Sequence, residues 1–145
     1  MRTLTLLTAG IIGYLLGSVS AAVILSRRVF GGDVRKQGSG NAGATNVARV
    51  FGMRAGLLTL AGDVLKTALS MFLGGLLAGA EGSAVAAAAC MLGHCFPLYF
   101  QFHGGKGVSV GAAIATYLDW RLILIILAVF LIVYFCCRKV SLASM

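Results

Sequence analysis

A chain of 145 residues is long enough for one domain, but 59% hydrophobic residues, 11% charged residues and a mean hydropathy of +0.97 exclude a water-soluble one. Intrinsic disorder is excluded by the same figures, since it requires low hydrophobicity and high charge. The net charge of +8 does not suggest nucleic acid here, because the bases cluster between apolar runs and no basic helix occurs.

The elements expected in chain order are transmembrane helices. Thr3 to Ser26 is 24 residues without a charge, enough to cross a bilayer core of about 30 Å. It ends in Ser-Arg-Arg rather than a small-residue cleavage site, so it reads as a retained span. Ala55 to Ala80 is the second span, with Asp63 and Lys66 in its early part. Ser83 to Phe102 is the third, and a short fourth runs from Gly104 to Leu118. Leu122 to Cys137 is the fifth, with Trp120 as an interface anchor. The expected fold is therefore an all-α transmembrane bundle of five spans in a single domain. Glycines are frequent, 20 of 145, as expected where helices approach closely in lipid, and Gly10, Gly13 and Gly17 lie on the first span. Cys90, Cys95, Cys136 and Cys137 lie in or beside apolar runs without ligand-like spacing, so neither a disulfide framework nor a metal site is expected.

Charge sets the expected orientation. Residues 27–54 carry Arg27, Arg28, Arg35, Lys36, Arg49 and Arg54 against Asp33, and Arg138 and Lys139 follow the fifth span. The turn around Glu81 has no base. Bases prefer the cytoplasmic side. The N-terminus is therefore expected outside, and residues 27–54, 103–107 and 138–145 inside.

Those inner segments hold the chemistry. Residues 32–52 read GDVRKQGSGNAGATNVARVFG. Gly38, Gly40 and Gly43 permit tight or left-handed turns, whose successive N–H groups can cradle an anion. Ser39, Asn41, Thr45 and Asn46 add neutral hydrogen-bonding groups, and Arg49 can fork two N–H bonds onto a phosphate. A solvated hairpin would need far fewer such groups. Residues 92–111 read LGHCFPLYFQFHGGKGVSVG, where Gly104, Gly105, Lys106 and Gly107 open the fourth span. A helix start stripped of side chains favours anions, and Lys106 adds a point charge. His94 reads more readily as a hydrogen-bonded structural residue than as a catalyst. Asp63 and Lys66 read as an ion pair that holds the first loop, since charges in lipid are costly and are usually paired. Ser141 and Ser144 stand three apart after the fifth span. Composition and topology also fit a small transporter for a phosphorylated solute, and only the motifs separate the two readings.

The runs DVRKQGSGNAGATNVARVFG, GDVLK, LGHCFPLYFQFHGGKGVSVG and RKVSLAS resemble the bacterial acyl-phosphate:glycerol-3-phosphate acyltransferases of the PlsY type, in order and spacing along essentially the whole chain. The resemblance implies a multi-pass enzyme of the bacterial inner membrane, its active face cytoplasmic. It moves a fatty acyl group from acyl-phosphate to the sn-1 hydroxyl of glycerol-3-phosphate. The products are lysophosphatidate and phosphate, in the first step of phospholipid synthesis. The expected partners are these two substrates, membrane lipid and the enzyme that supplies acyl-phosphate; no cofactor and no nucleic acid is expected. Carried over residue by residue, the resemblance puts the essential serine and arginine on Ser39 and Arg49. It puts polar phosphate contacts on Asn41, Thr45 and Asn46, and glycerol-3-phosphate binding on Gly104 to Gly107. The serine after the fifth span falls on Ser141 or Ser144. Members continue with two further spans and a motif bearing a functional His and Asn. The resemblance therefore covers the first two-thirds to three-quarters of a member, and activity is expected to need that remainder.

Overall fold

The computed structural model describes residues 1–137, and no strand occurs among them. Six α-helices follow in order: α1 (Arg2–Gly17), α2 (Ala21–Arg28), α3 (Ala44–Phe51), α4 (Met53–Cys95), α5 (Val108–Leu118) and α6 (Arg121–Cys137). Short 3-10 turns at Val34–Lys36 and Leu98–Phe100 lie in the connections. The fold is the expected all-α membrane bundle. Arg138, Lys139, Ser141 and Ser144 lie outside the described residues.

The second and third spans are the two arms of α4. The helix breaks at Ala78 and Gly79, and Gly79 takes φ +59°, a left-handed conformation natural to glycine. The arms then fold back on each other, with Ser70 Oγ donating to the Ala86 carbonyl at 3.1 Å. Gly74 and Gly82 face each other so closely that a Cβ on either would strike the other's carbonyl. Helices in lipid gain nothing from apolar contact as such, so close backbone approach and internal hydrogen bonds hold them together. The burial pattern reflects this. Ser18, Ser26, Thr59, Asp63, Thr67 and Ser70 are buried, whereas Leu58, Leu65, Phe72, Leu76, Ile125 and Ile132 are exposed to the lipid side.

The expected continuous first span is corrected. It is broken at residues 18–20, where the Ser20 side chain caps α2 by accepting from the Val23 N–H. A serine that bonds its local backbone competes with helix continuation. The break leaves the carbonyls of Gly17 and Val19 without helical partners, and Lys66 Nζ reaches both, at 3.0 and 2.8 Å. The resemblance to the acyltransferases also implies that Gly10, Gly13 and Gly17 leave room for the acyl tail, and this is corrected at two of the three. Gly13 and Gly17 are filled by the second arm of α4, against the backbones of Ala86 and Cys90. Gly10 meets only Val85 Cγ1 at 3.4 Å and borders an outward-facing apolar groove. The expected fourth span, α5, begins at Val108 rather than Gly104, and the expected inner loop 27–54 contains α3.

Gly17→Ala is accordingly expected to destabilise the protein by about 1–3 kcal/mol, as overpacking does. Gly10→Ala should be tolerated. Thermal midpoints in detergent check the pair, and equal midpoints would show that α1 does not depend on backbone contact with α4.

Arg2 and Glu81 form an ion pair, so the start of α1 and the α4 turn share one end of the bundle. Arg35 donates to the Phe100 carbonyl at 2.8 Å and joins the two glycine-rich connections at the other end.

Candidate active site

The first connection is organised by two side chains. Asp33 caps the 3-10 turn by accepting from the Arg35 N–H at 3.0 Å. It also pairs with the guanidiniums of Arg27 at 2.8 Å and Arg35 at 2.9 Å. The hydrogen bond from Arg35, aided by Arg27, holds this carboxyl far below the usual carboxylate range. A lowered pKa means the clamp is fully formed above the ordinary Asp range and loosens only as pH falls well into acid. Asn46, 1% exposed, is the second organiser. Its Oδ1 accepts the Ser39 N–H at 2.9 Å, and its amide hydrogens are shared among the carbonyls of Val34, Gln37 and Asn41 at 3.0–3.1 Å. Gly38 and Gly40 have φ +60° and +72°, and a Cβ on Gly38 would strike Asn46 Oδ1. Gly43 is extended, with φ −136°, and begins α3.

The second connection is seated on the end of α4. The Gly105 N–H donates to the His94 carbonyl at 3.1 Å. A Cβ on Gly104 would strike that carbonyl, and one on Gly105 would strike the His94 ring. These two glycines therefore allow the chain to lie on the helix end. Gly107, φ +79°, then turns the backbone into α5.

Between the two connections lies a cavity of about 430 Å³. Ser39, Asn41, Thr45, Asn46, Arg49 and Lys106 all line it, and Leu60, Ala112 and Phe130 form an apolar wall. Thr45 and Arg49 stand one helical turn apart on α3, both exposed. Two helix starts, Gly43–Thr45 of α3 and Gly107–Ser109 of α5, open onto the cavity, and neither carries a side-chain cap. Orphan N–H groups and the positive ends of two helix dipoles thus add to the charges of Arg49 and Lys106. The site is built for an anion beside an apolar chain.

Beneath it sits a buried charged network. Asp63 Oδ1 is 3.2 Å from Lys66 Nζ, and Asp63 Oδ2 accepts the Ser109 hydroxyl at 2.6 Å. Lys66 also lies 3.0 Å from His94 Nδ1. Asp63 and Lys66 therefore pair as the sequence suggests, but they hold the α1–α2 break and the start of α5 rather than the first loop.

The chain matches the Glycerol-3-phosphate acyltransferase family over residues 7–145. It is 38% identical over 144 residues to the glycerol-3-phosphate acyltransferase of Finegoldia magna, covering 99% of this chain and 73% of that relative. To that of Idiomarina loihiensis it is 45% identical, covering 100% of this chain and 74% of the relative. Its fold is similar to the crystal structure of PlsY (YgiH), an integral membrane glycerol 3-phosphate acyltransferase, in its glycerol 3-phosphate form. The TM-score is 0.85 at 34% identity, over 96% of this chain and 70% of the other. The lysophosphatidic acid form gives a TM-score of 0.81 at 33% identity, over 96% of this chain and 69% of that one. The chain belongs to the glycerol-3-phosphate acyltransferase family.

Membership decides for the enzyme over the transporter and makes this acyltransferase an integral membrane protein. The acyltransferase fold brings Ser39, Asn41, Thr45, Asn46, Arg49, Lys106 and Gly107 to one cavity, and Gly104 and Gly105 to the helix end behind it. His94 lines the cavity as well. Asp33 and Arg35, which read from sequence only as loop charges, clamp the first connection, and Ser109 joins the cavity to Asp63. An acid beside several loop bases was the available signal for Asp33; nothing local marks Ser109.

Proposed function

We propose that the chain transfers a fatty acyl group from acyl-phosphate to the sn-1 hydroxyl of glycerol-3-phosphate at the cytoplasmic face of the bacterial inner membrane. The observation that carries this reading is one cavity lined by both glycine-rich connections, with a cationic rim and an apolar wall. The relatives named above are acyltransferases of glycerol-3-phosphate, and one solved structure is its glycerol 3-phosphate form.

Acyl-phosphate is a mixed anhydride, already activated, so the enzyme has mainly to hold two anions together and stabilise the carbonyl oxygen as it gains charge. Arg49 and Lys106 offset the repulsion between phosphates. Ser39 Oγ or an orphan N–H at a helix start serves the developing oxyanion. Leu60, Ala112 and Phe130 face the acyl chain. The glycerol oxygen bonds to the acyl carbon, the carbon–oxygen bond to phosphate breaks, and the hydroxyl proton ends on the released phosphate, whose second pKa near 6 allows it. On the resemblance, Ser141 or Ser144 adds a further substrate contact in this reading.

The test is incubation of the purified protein in lipid discs with acyl-phosphate and glycerol-3-phosphate. It is run alone and co-expressed with the part of a relative's chain outside the match. Phosphate and lysophosphatidate are expected in equal amounts, with release dependent on glycerol-3-phosphate. Donor hydrolysis without lysophosphatidate in both preparations would overturn the reading. The orientation has its own check: cysteines placed at Gln37 and Glu81 in a cysteine-free background should be labelled from opposite sides of the membrane. Labelling from one side would reverse it.

A further inference from the structure

His94 is 4% exposed in the last turn of α4, and the mechanism above gives it no role. Its Nδ1 lies 3.0 Å from Lys66 Nζ. An ammonium only donates, so Nδ1 must present its lone pair there. Asp63 Oδ1 is 3.5 Å from the same nitrogen, a longer contact than that to Lys66. Lys66 is itself immobilised: its other hydrogens go to the Gly17 and Val19 carbonyls, and Asp63 is the counter-charge. With the lone pair on Nδ1, the ring hydrogen sits on Nε2. That edge of the ring lies against Gly105, where a Cβ would strike Nε2, and His94 lines the cavity. Among the described residues Nε2 makes no hydrogen bond.

We infer that His94 is a substrate-contacting residue whose Nε2–H donates to an oxygen of the polyol phosphate in the cavity, and that Lys66 is the positioning residue that fixes the tautomer. This rests on the cavity being the glycerol-3-phosphate site. The α1–α2 break has a purpose in this scheme. It frees two carbonyls that hold the ammonium, the ammonium holds the ring, and the ring presents its donor beside the phosphate-binding turn.

The second histidine provides an internal reference. His103 Nδ1 lies 2.6 Å from the Gln101 carbonyl, which only accepts, so His103 carries its hydrogen on Nδ1, the opposite tautomer. The chain has two histidines, so nitrogen-15 histidine labelling in detergent micelles gives two rings, and His103→Gln assigns them. The His94 ring is expected as the Nε2–H tautomer, and its Nε2 signal should move on titration with glycerol-3-phosphate. Inorganic phosphate in a parallel titration tells whether a phosphoryl or a glycerol oxygen is the acceptor. Calorimetry run alongside separates the failures. Binding that leaves the His94 signal unmoved overturns this inference and spares the function. Absence of binding even with the remainder of a relative's chain co-expressed overturns both.

Two variants add a readout that a purely structural role would not move. His94→Asn keeps an acceptor for Lys66 and loses the donor. His94→Gln keeps an amide donor near the Nε2 position. Asn should weaken glycerol-3-phosphate binding about three- to tenfold at an unchanged thermal midpoint, and Gln should bind close to wild type. The reverse order, or equal losses that follow the midpoint, would show that His94 only supports the helix end.

Discussion

Arg49→Ala is expected to lower acyl transfer roughly 10- to 150-fold while the protein still inserts and folds. A charge-assisted hydrogen bond to phosphate contributes about 1.5–3 kcal/mol, and each 1.36 kcal/mol is tenfold in rate. The side chain is exposed at the cavity, one turn beyond Thr45 on α3, so its removal opens no hole in the core. Arg49→Lys should recover only part of the rate, because an ammonium restores the charge without the planar fork. Phosphate release and lysophosphatidate formation in the reconstituted assay check both variants. Near-normal turnover in Arg49→Ala would reduce this arginine to an orientation signal.

Lys66→Met is expected to have the largest effect on stability, about 3–5 kcal/mol, since breaking a buried pair leaves its partner charge uncompensated. Asp63, 1% exposed, would lose its counter-charge, and the carbonyls of Gly17 and Val19 would lose their donor. The double variant Asp63→Asn with Lys66→Met should recover part of the loss by removing the stranded carboxylate. Denaturant unfolding in detergent, followed by helix signal, measures both. A single variant as stable as wild type would mean that the break between α1 and α2 holds without the ammonium.

The two sites respond differently because of where their charges lie. Arg49 is exposed, so its charge costs the protein little and is available to substrate. Lys66 is 8% exposed among helices, so its ammonium persists only through its protein partners. Both are bases in the sequence, and only burial tells the anion-binding one from the structural one.

Much was legible in the residues themselves. Uncharged runs of bilayer length specify helices, because in hydrocarbon every backbone group must be satisfied within the segment. Glycines and short polar side chains between such runs specify a connection that binds something, and Ser39, Thr45, Arg49 and Lys106 do meet at one cavity. The break at Ser18–Ser20 was not legible. A serine pair in an apolar run is tolerated in continuous helices, and partners distant in sequence favour the alternative: Lys66, 49 residues from Gly17, holds the freed carbonyl, and the Leu98 N–H donates to Ser18. Frequent glycines imply close helix approach, but only the placement of the second arm of α4 shows that Gly13 and Gly17 are contact rather than room for an acyl tail. Asn46 was expected to meet phosphate, and the structure shows its amide engaged with four backbone groups of its own loop.

The sequence by itself determined the membrane class, the all-α fold and most of the polar residues that line the cavity, because those follow from local hydropathy and from the chemistry of each side chain. Only the tertiary structure decided which glycines carry helix contacts, which charges are buried partners and which nitrogen of His94 holds the hydrogen. Each of these depends on what a neighbour distant in sequence presents at about 3 Å, where donor and acceptor geometry, rather than composition, sets the energy.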